Sequence, residues 1–422
     1  MSETCNSRHF SWLMKSCFPN PQHHHHHDPH IHRVPASATA SQENHLHLHQ
    51  QPPAISSLPD DLLLECLSRV PHSALPSAYL VCRRWARLLD SPAFIHLRRR
   101  HSRLRHTLFA VAVTPSELYT ATLRLGYDAS WKTASLAAEN DVASLPEIFH
   151  GLSMQARLAA IGRKIYIIGR TSMIRLDTWT GTVAAKSATV FPRKKFAAAA
   201  VGGRVYVAGG AFRTSAVEEY DPSCDRWRVV SDAPRRRYGC IGTAVDGVFY
   251  VIGGLKIGSY GEDISRAAGA EAHVYASSMD LYDVEAGAWL RSQAVPGGGC
   301  LVAACASEGF VYVLASHAVE LSFWRFDGRR KGGGAFGEWN RIKSPPVMAQ
   351  VSALRFSCVA VGGKVVVIQV VGSMDELWRR GGGRRGVKGG LVMVYDGAAG
   401  EWSRAADLPE VMPRAACVSV EC

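Results

Sequence analysis

The chain is 422 residues long, 47% of them hydrophobic, with a formal net charge of +12 at pH 7, so it holds enough apolar material for a sizeable core and enough length for two or three domains. It has no run of about 18 apolar residues, and its first stretch, MSETCNSRHFSWLMKSCFPNP, lacks a continuous apolar segment, which argues against both a membrane-spanning helix and a secretory leader. Its 11 cysteines are odd in number and irregularly spaced, a pattern of reduced thiols rather than a disulfide framework, so a cytoplasmic or nuclear protein is expected.

Residues 1–54 carry 11 of the 18 histidines, among them His23 to His27 and the alternation HLHLH at 45–49. A His-rich tract can bind metal, but Ser, Pro, Gln and Ala surround these side chains and few apolar residues could fix a ligand geometry. The segment reads as disordered low complexity, with no metal and no cofactor expected.

Composition changes at residue 55. Leu62, Leu63, Cys66, Leu67 and Val70 follow helical spacing, with Pro59 suited to a first turn and Asp60, Asp61 and Glu65 near its positive end. After Pro71, the positions Leu75, Ala78 or Tyr79, Cys82, Trp85 and Leu88 or Leu89 predict a second helix that ends before Ser91-Pro92. So small a hairpin has apolar residues on more than one face of each helix, which implies a face completed by a partner, or by packing on the following domain.

The stretches LPDDLLLECLSRVP (58–71) and YLVCRRWARLLDSPAF (79–94) resemble, in order and spacing, an F-box, the adaptor motif that docks on Skp1 in cullin-based ubiquitin ligases. The resemblance covers residues 55–100 and assigns the Skp1 contact to Leu58, Pro59, Leu62, Val81, Cys82 and Trp85. The basic run LRRRHSRLR (97–105) then reads as an exposed helical linker, although it also fits a nuclear localisation signal.

From about residue 107 the pattern turns to short apolar alternations bounded by Gly, Pro and Asp. RVYVAGG (204–210) recurs 44 residues later as VFYVIGG (248–254), with weaker copies KIYIIGR (164–170), FVYVLAS (310–316) and KVVVIQV (364–370). The pairs Tyr220/Trp227, Tyr282/Trp289 and Tyr395/Trp402 each span seven residues, and each Tyr precedes an Asp. A repeat of this period is one supersecondary unit.

The repeat resembles the kelch motif, the four-stranded blade of a β-propeller, over most of 107–422. Its framework positions are Gly209, Gly210, Tyr220, Trp227, Gly253, Gly254, Tyr282, Trp289, Tyr395 and Trp402. For one blade the strands read GCIGTAV, VFYVIGG, SSMDLYD and WLRSQ. Trp-equivalent positions at 131, 183, 227, 289, 339 and 402 predict six blades; the first lacks an inner strand, which the C-terminal ACVSVEC would supply. The fold class expected is mainly β, a six-bladed propeller preceded by a small all-α domain.

Catalytic chemistry finds little support. The Gly-Gly pair is no phosphate loop, since GxGxxG and GxxxxGK[ST] are absent there and no helix follows. Beside a kelch scaffold without a ubiquitin-ligase role, an enzyme stands as an alternative because copper oxidases use kelch-like propellers, but His150, His273 and His317 are scattered over different units and a copper site needs convergent ligands. Cys240, Cys305, Cys358 and Cys417 read as small core residues of inner strands.

The turns between second and third strands, and those between blades, share one face, and that face is basic. Its inter-blade turns are FPRKKF (191–196) and APRRRY (233–238), which make Arg193, Lys194, Lys195, Arg235, Arg236 and Arg237 candidates for the substrate-binding face; its long insertions are 255–277 and 372–389. A Pro-Arg at the repeat junction, as in Pro413-Arg414, is itself part of the kelch habit, so Arg193 and Arg235 also read as frame; for the rest, solvated charge and a docking site for an acidic protein segment fit equally. Nucleic acid is disfavoured because interleaved aromatics are missing, Trp378 apart.

One helical adaptor motif followed by one propeller is similar to the F-box/kelch-repeat family of plants. That resemblance implies a non-catalytic adaptor that binds a Skp1-like protein, and through it cullin and the ubiquitin-charged E2, while the propeller holds a protein substrate over a short, stiff linker.

Overall fold

The computed structural model describes residues 55–114, 117–137, 149, 152, 156–256, 275–317, 320–329, 337–347, 354–371, 390–412 and 414–421. The His-rich segment 1–54, insertion residues 257–274 and 372–389, and His150, His273 and Pro413 lie outside the described residues. The chain divides into two compact units, Met1–Arg103 and Leu104–Cys422.

In the first unit, α1 (Asp60–Ser68) is followed by α2 (Leu75–Tyr79), α3 (Arg83–Leu89) and α4 (Pro92–Arg100). Asp60 and Asp61 sit in the first turn of α1, where the helix dipole favours negative charge. The single second helix predicted from 75 to 90 is broken: Cys82 is extended, with φ −162° and ψ 166°, and restarts the chain into α3. The break lets Trp85, Leu88 and Leu89 turn inward onto Leu63, Leu67 and Phe94 as one small core, while Leu80 is left outside. A further helix, α4, begins at Pro92, whose fixed φ suits a first turn, and Ser91 Oγ accepts from the Phe94 amide at 3.2 Å.

The run read as an exposed linker is partly structural. Arg98 is 1% exposed, and its guanidinium donates to the carbonyls of Ser68 at 3.1 Å, Val70 at 2.9 Å and Arg103 at 2.7 Å. It thereby satisfies carbonyls just beyond the C-terminus of α1 that would otherwise be buried without a donor.

In the second unit β1 (His106–Val113), β2 (Glu117–Leu123) and β3 (Lys132–Ala137) come first. There follow β4 (Arg157–Ile161), β5 (Lys164–Ile168), β6 (Met173–Asp177) and β7 (Val183–Lys186), then β8 (Ala197–Val201), β9 (Arg204–Ala208), β10 (Ala216–Asp221) and β11 (Arg226–Asp232). The next set is β12 (Arg237–Tyr238), β13 (Ile241–Val245), β14 (Val248–Ile252), β15 (Leu255–Lys256), β16 (Ser278–Asp283), β17 (Ala288–Trp289) and β18 (Gln293–Ala294). After β19 (Cys300–Ser307), β20 (Phe310–Ser316), β21 (Leu321–Asp327) and β22 (Trp339–Ile342) come β23 (Leu354–Val361), β24 (Lys364–Val371), β25 (Val392–Asp396), β26 (Glu401–Arg404) and β27 (Ala416–Glu421).

Each set forms an antiparallel sheet, except that β12 and β15 pair apart as a two-stranded ladder and β27 joins β1–β3, and the strands β4, β8, β13, β19, β23 and β27 touch one another in turn, with β27 returning to β4, so the ring has six blades. The C-terminal strand completes the first blade: Val418 lies opposite Phe109 and Cys417 opposite Ala110. Joining the two ends of this unit in one sheet removes the open edge at the seam. Small residues mark the inner strands because the backbones converge there. A Cβ on Gly242 would stand 2.5 Å from the backbone of Ala198 in the neighbouring blade.

The WLRSQ strand is split into β17 and β18. Between them Ser292 Oγ donates to Asp280 at 2.6 Å, an acid whose partner is described below.

The repeat aromatics act as predicted. Tyr220/Trp227, Tyr282/Trp289 and Tyr395/Trp402 each pack at 5.1 Å between ring centroids, and each Tyr also meets a Tyr of the preceding blade at 5.6 to 6.5 Å. The Trp indole N–H reaches back one blade: Trp227 donates to the Ser187 carbonyl at 2.8 Å, Trp289 to Ser231 Oγ at 3.1 Å, Trp402 to the Lys343 carbonyl at 2.8 Å and Trp131 to that of Ala406 at 2.8 Å. In the second blade, Val183 and Trp179 together pack on the cluster shared with the first.

Candidate functional site

The glycine pairs are frame. Gly209 and Gly210 have φ of +74° and +72°; a Cβ on Gly209 would meet the Arg237 carbonyl oxygen and Cys240 Sγ, both at 2.7 Å. The Gly210 N–H donates to that same Arg237 carbonyl at 2.8 Å, which ties this blade to the turn that opens the next.

Two of the arginines expected on the substrate face belong to this frame instead. Arg193 is 1% and Arg237 0% exposed. Arg193 Nε donates to Glu218 at 2.8 Å, while its Nη1 and Nη2 donate to the carbonyls of Gly209 at 2.7 Å and Ala216 at 2.5 Å. Arg237 repeats the arrangement one blade on, with Asp280 at 2.8 Å, the Gly253 carbonyl at 2.8 Å and the Tyr275 carbonyl at 2.7 Å. A buried guanidinium is tolerated because every direction of its fork meets an acceptor. Arg235 shares Asp280 at 3.5 Å and donates to Ser278 Oγ at 3.1 Å, so it too serves the frame.

Glu218 and Asp280, which sequence reasoning passed over, do carry a signal. Each stands two residues before the repeat Tyr, and Arg193 and Arg237 each stand 16 residues before the first glycine of a pair. Alignment on the Pro-Arg steps Pro192-Arg193 and Pro234-Arg235 slips by two residues against the 44-residue repeat, which equates Arg193 with Arg237. Lys194 is exposed, Lys195 and Arg236 half-buried.

On the helical unit the predicted contact residues separate. Leu62 is 51% and Leu80 72% exposed; Pro59, Cys66 and Cys82 are exposed, and Leu58, Val70 and Val81 half-buried. Leu62 and Cys66, four apart on α1, form one outward stripe beside the inward stripe of Leu63 and Leu67. Trp85, assigned to the contact, is instead 7% exposed in the core, where it supports that face from beneath. Leu80, absent from the predicted set, is the most exposed large apolar side chain of the unit; its signal was the YLVC step, which a continuous helix obscured.

Of the inner-strand thiols, Cys240 and Cys305 are buried and Cys358 and Cys417 half-buried. Burial pushes the thiols of Cys240 and Cys305 up, that of Cys417 to about 12, and Cys305 and Cys358 lie side by side, Sγ to Sγ 3.1 Å. A thiol held protonated is a poor nucleophile. Alkylation of the native chain with iodoacetamide is therefore expected to label Cys66, Cys82, Cys224 and Cys300, which are exposed, and to leave Cys240, Cys305 and Cys417 unlabelled until denaturant is added; peptide mass spectrometry reads the outcome. His317, the described member of the scattered histidines, is engaged with Ser322 Oγ at 3.0 Å. Among the described residues no group of three His, Cys, Asp or Glu side chains could hold a metal, and no helix is long and apolar enough to cross a membrane.

The two units thus define a small α-helical unit and a kelch-type propeller. Residues 55–97 match the F-box domain and 192–234 the Kelch motif. F-box/kelch-repeat protein At5g26960 of Arabidopsis thaliana is 56% identical over the full length of both chains, and At1g67480 of the same plant is 26% identical over 57% of this chain and 62% of its own. Among solved structures YjhT aligns with a TM-score of 0.44 at 18% identity over 60% of this chain and 84% of its own. The chain belongs to the F-box/kelch-repeat protein family.

Proposed function

We propose that the chain is the substrate-recruiting adaptor of a Skp1–cullin–F-box ubiquitin ligase: the helical unit binds a Skp1-like protein, the propeller holds a protein substrate, and the chain itself makes and breaks no bonds. The observation that carries the reading is the set of exposed apolar side chains, Leu62 and Cys66 on α1 and Leu80 and Cys82 at the break between α2 and α3, on a unit that already buries Leu63, Leu67, Trp85 and Phe94. Such a surface is what a folded partner covers. Recruitment then works by proximity, since tethering a substrate beside the charged E2 raises its effective concentration. A cytosolic or nuclear site of action goes with this role.

The test is co-purification of the full chain with a recombinant Skp1-like protein. Leu62→Asp/Leu80→Asp should reduce capture at least tenfold without altering the thermal melt, because both side chains lie outside the core. Bound partner should also shield Cys66 and Cys82, but not Cys224, from alkylation. Failure of the wild type to capture the partner, or undiminished capture by the double variant, would overturn the reading.

A further inference from the structure

On the propeller, four turns of neighbouring blades are stitched into one surface. Lys194 N–H donates to the Gly210 carbonyl at 3.0 Å and Gly239 N–H to the Lys195 carbonyl at 2.8 Å. The two-residue ladder of β12 and β15 sets Tyr238 opposite Leu255 and Arg237 opposite Lys256. Phe212 is 66% and Leu255 54% exposed, and the Phe212 ring lies 5.8 Å from that of Tyr238. Cations surround this apolar centre: Lys194, Arg213 and Lys256 are exposed, Lys195 and Arg236 half-buried. Glu218 and Asp280 are buried in ion pairs with Arg193 and Arg237, and Asp232 accepts from Ser215 at 2.9 Å.

Lys195 is the most telling of these residues. It has φ +55°, as Gly239 has +78° and Arg414 +57°, each two residues before an inner strand. The fold asks for a left-handed residue there, and the next blade answers with glycine, the residue that adopts it without strain. The lysine instead brings its Nζ to 5.3 Å from the centroid of the Tyr238 ring.

We propose that this surface docks an acidic peptide segment that carries a large apolar side chain, Leu or an aromatic, which seats on Phe212, Tyr238 and Leu255 while its carboxylates meet Lys194, Lys195 and Arg213. The inference rests on the reading of the propeller as the substrate-holding half, and gives that half its binding residues and its class of ligand. Charge complementarity selects the acidic partner, and the exposed apolar centre is what a side chain, and not charge alone, would cover. A nucleic acid fits less well, because the Tyr238 ring is half-buried and Leu255 offers no ring for base stacking.

The test is selection of a phage-displayed random dodecapeptide library on the immobilised full chain at low ionic strength, followed by binding of the enriched peptides in synthetic form. Enriched peptides should carry several Asp or Glu around a Leu, Phe or Trp, and their binding should weaken as salt rises. Phe212→Ser, Lys195→Gly and Arg213→Ser should each weaken it about tenfold. Lys195→Gly is the informative variant, since it relieves the left-handed backbone and so keeps the fold. Enrichment without acidic bias, binding indifferent to all three variants, or stronger binding of single-stranded oligothymidylate at the same residues would overturn the proposal. Capture of the Skp1-like protein is scored separately, so loss of that interaction would sink the adaptor reading and leave this surface standing.

Discussion

Replacement of Arg237 by methionine is expected to lower the stability of the propeller by about 3–5 kcal/mol. The guanidinium is fully buried, holds Asp280 and satisfies the carbonyls of Gly253 and Tyr275. Methionine fills part of the volume but leaves the buried Asp280 with Arg235, 3.5 Å away, as its remaining counter-charge and leaves the carbonyls of Gly253 and Tyr275 without this donor, which costs more than the pair contributes when intact. Urea unfolding of the full chain, followed by tryptophan emission, measures the loss. Two companions sharpen it. Arg237→Met/Asp280→Leu should recover a large share, since it removes the buried carboxylate that has lost its main partner, whereas Arg213→Ser, on the exposed turn, should change stability by no more than about 0.5 kcal/mol. If Arg237→Met is as stable as the wild type, the clamp does not hold the blade.

Gly209→Ala should cost about 3 kcal/mol or more. Left-handed φ alone accounts for about 1–2 kcal/mol with any L side chain; the rest comes from a Cβ placed 2.7 Å from the Arg237 carbonyl oxygen and Cys240 Sγ. That carbonyl accepts the Gly210 N–H, so a shift to relieve the contact loosens the joint between two blades. Gly203→Ala is the matched control: its φ is +77°, yet a Cβ there would meet nothing within 4 Å. The difference in unfolding midpoint between the two variants isolates the close approach from the backbone strain, and equal midpoints would remove the contact from the account.

Much of the fold was legible because it is periodic. Tyr220, Tyr282 and Tyr395, each followed by Asp and a Trp seven residues from the Tyr, locate the outer halves of three blades, and the likeness of ACVSVEC to an inner strand predicts the closure seen in the pairing of β27 with β1. The two arginine turns were misjudged for an equally physical reason. Local composition describes a residue's neighbours along the chain, whereas burial of Arg193 and Arg237 depends on Glu218 and Asp280, 25 and 43 residues away in sequence. The helical unit repeats the lesson: spacing placed both Leu63 and Trp85 on apolar faces, but the extended backbone at Cys82 decided that Trp85 turns inward and Leu80 outward.

The sequence by itself determined the architecture, an F-box-like helical unit and a six-bladed propeller, because strand alternation, turn glycines and aromatic spacing are local quantities that repeat. The tertiary structure alone decided which charges are frame and which are surface. Ion pairs between strands convert Arg193 and Arg237 into buried struts, and the meeting of four turns around Phe212, Tyr238 and Leu255 assembles a docking surface from residues that no single stretch of the chain brings together.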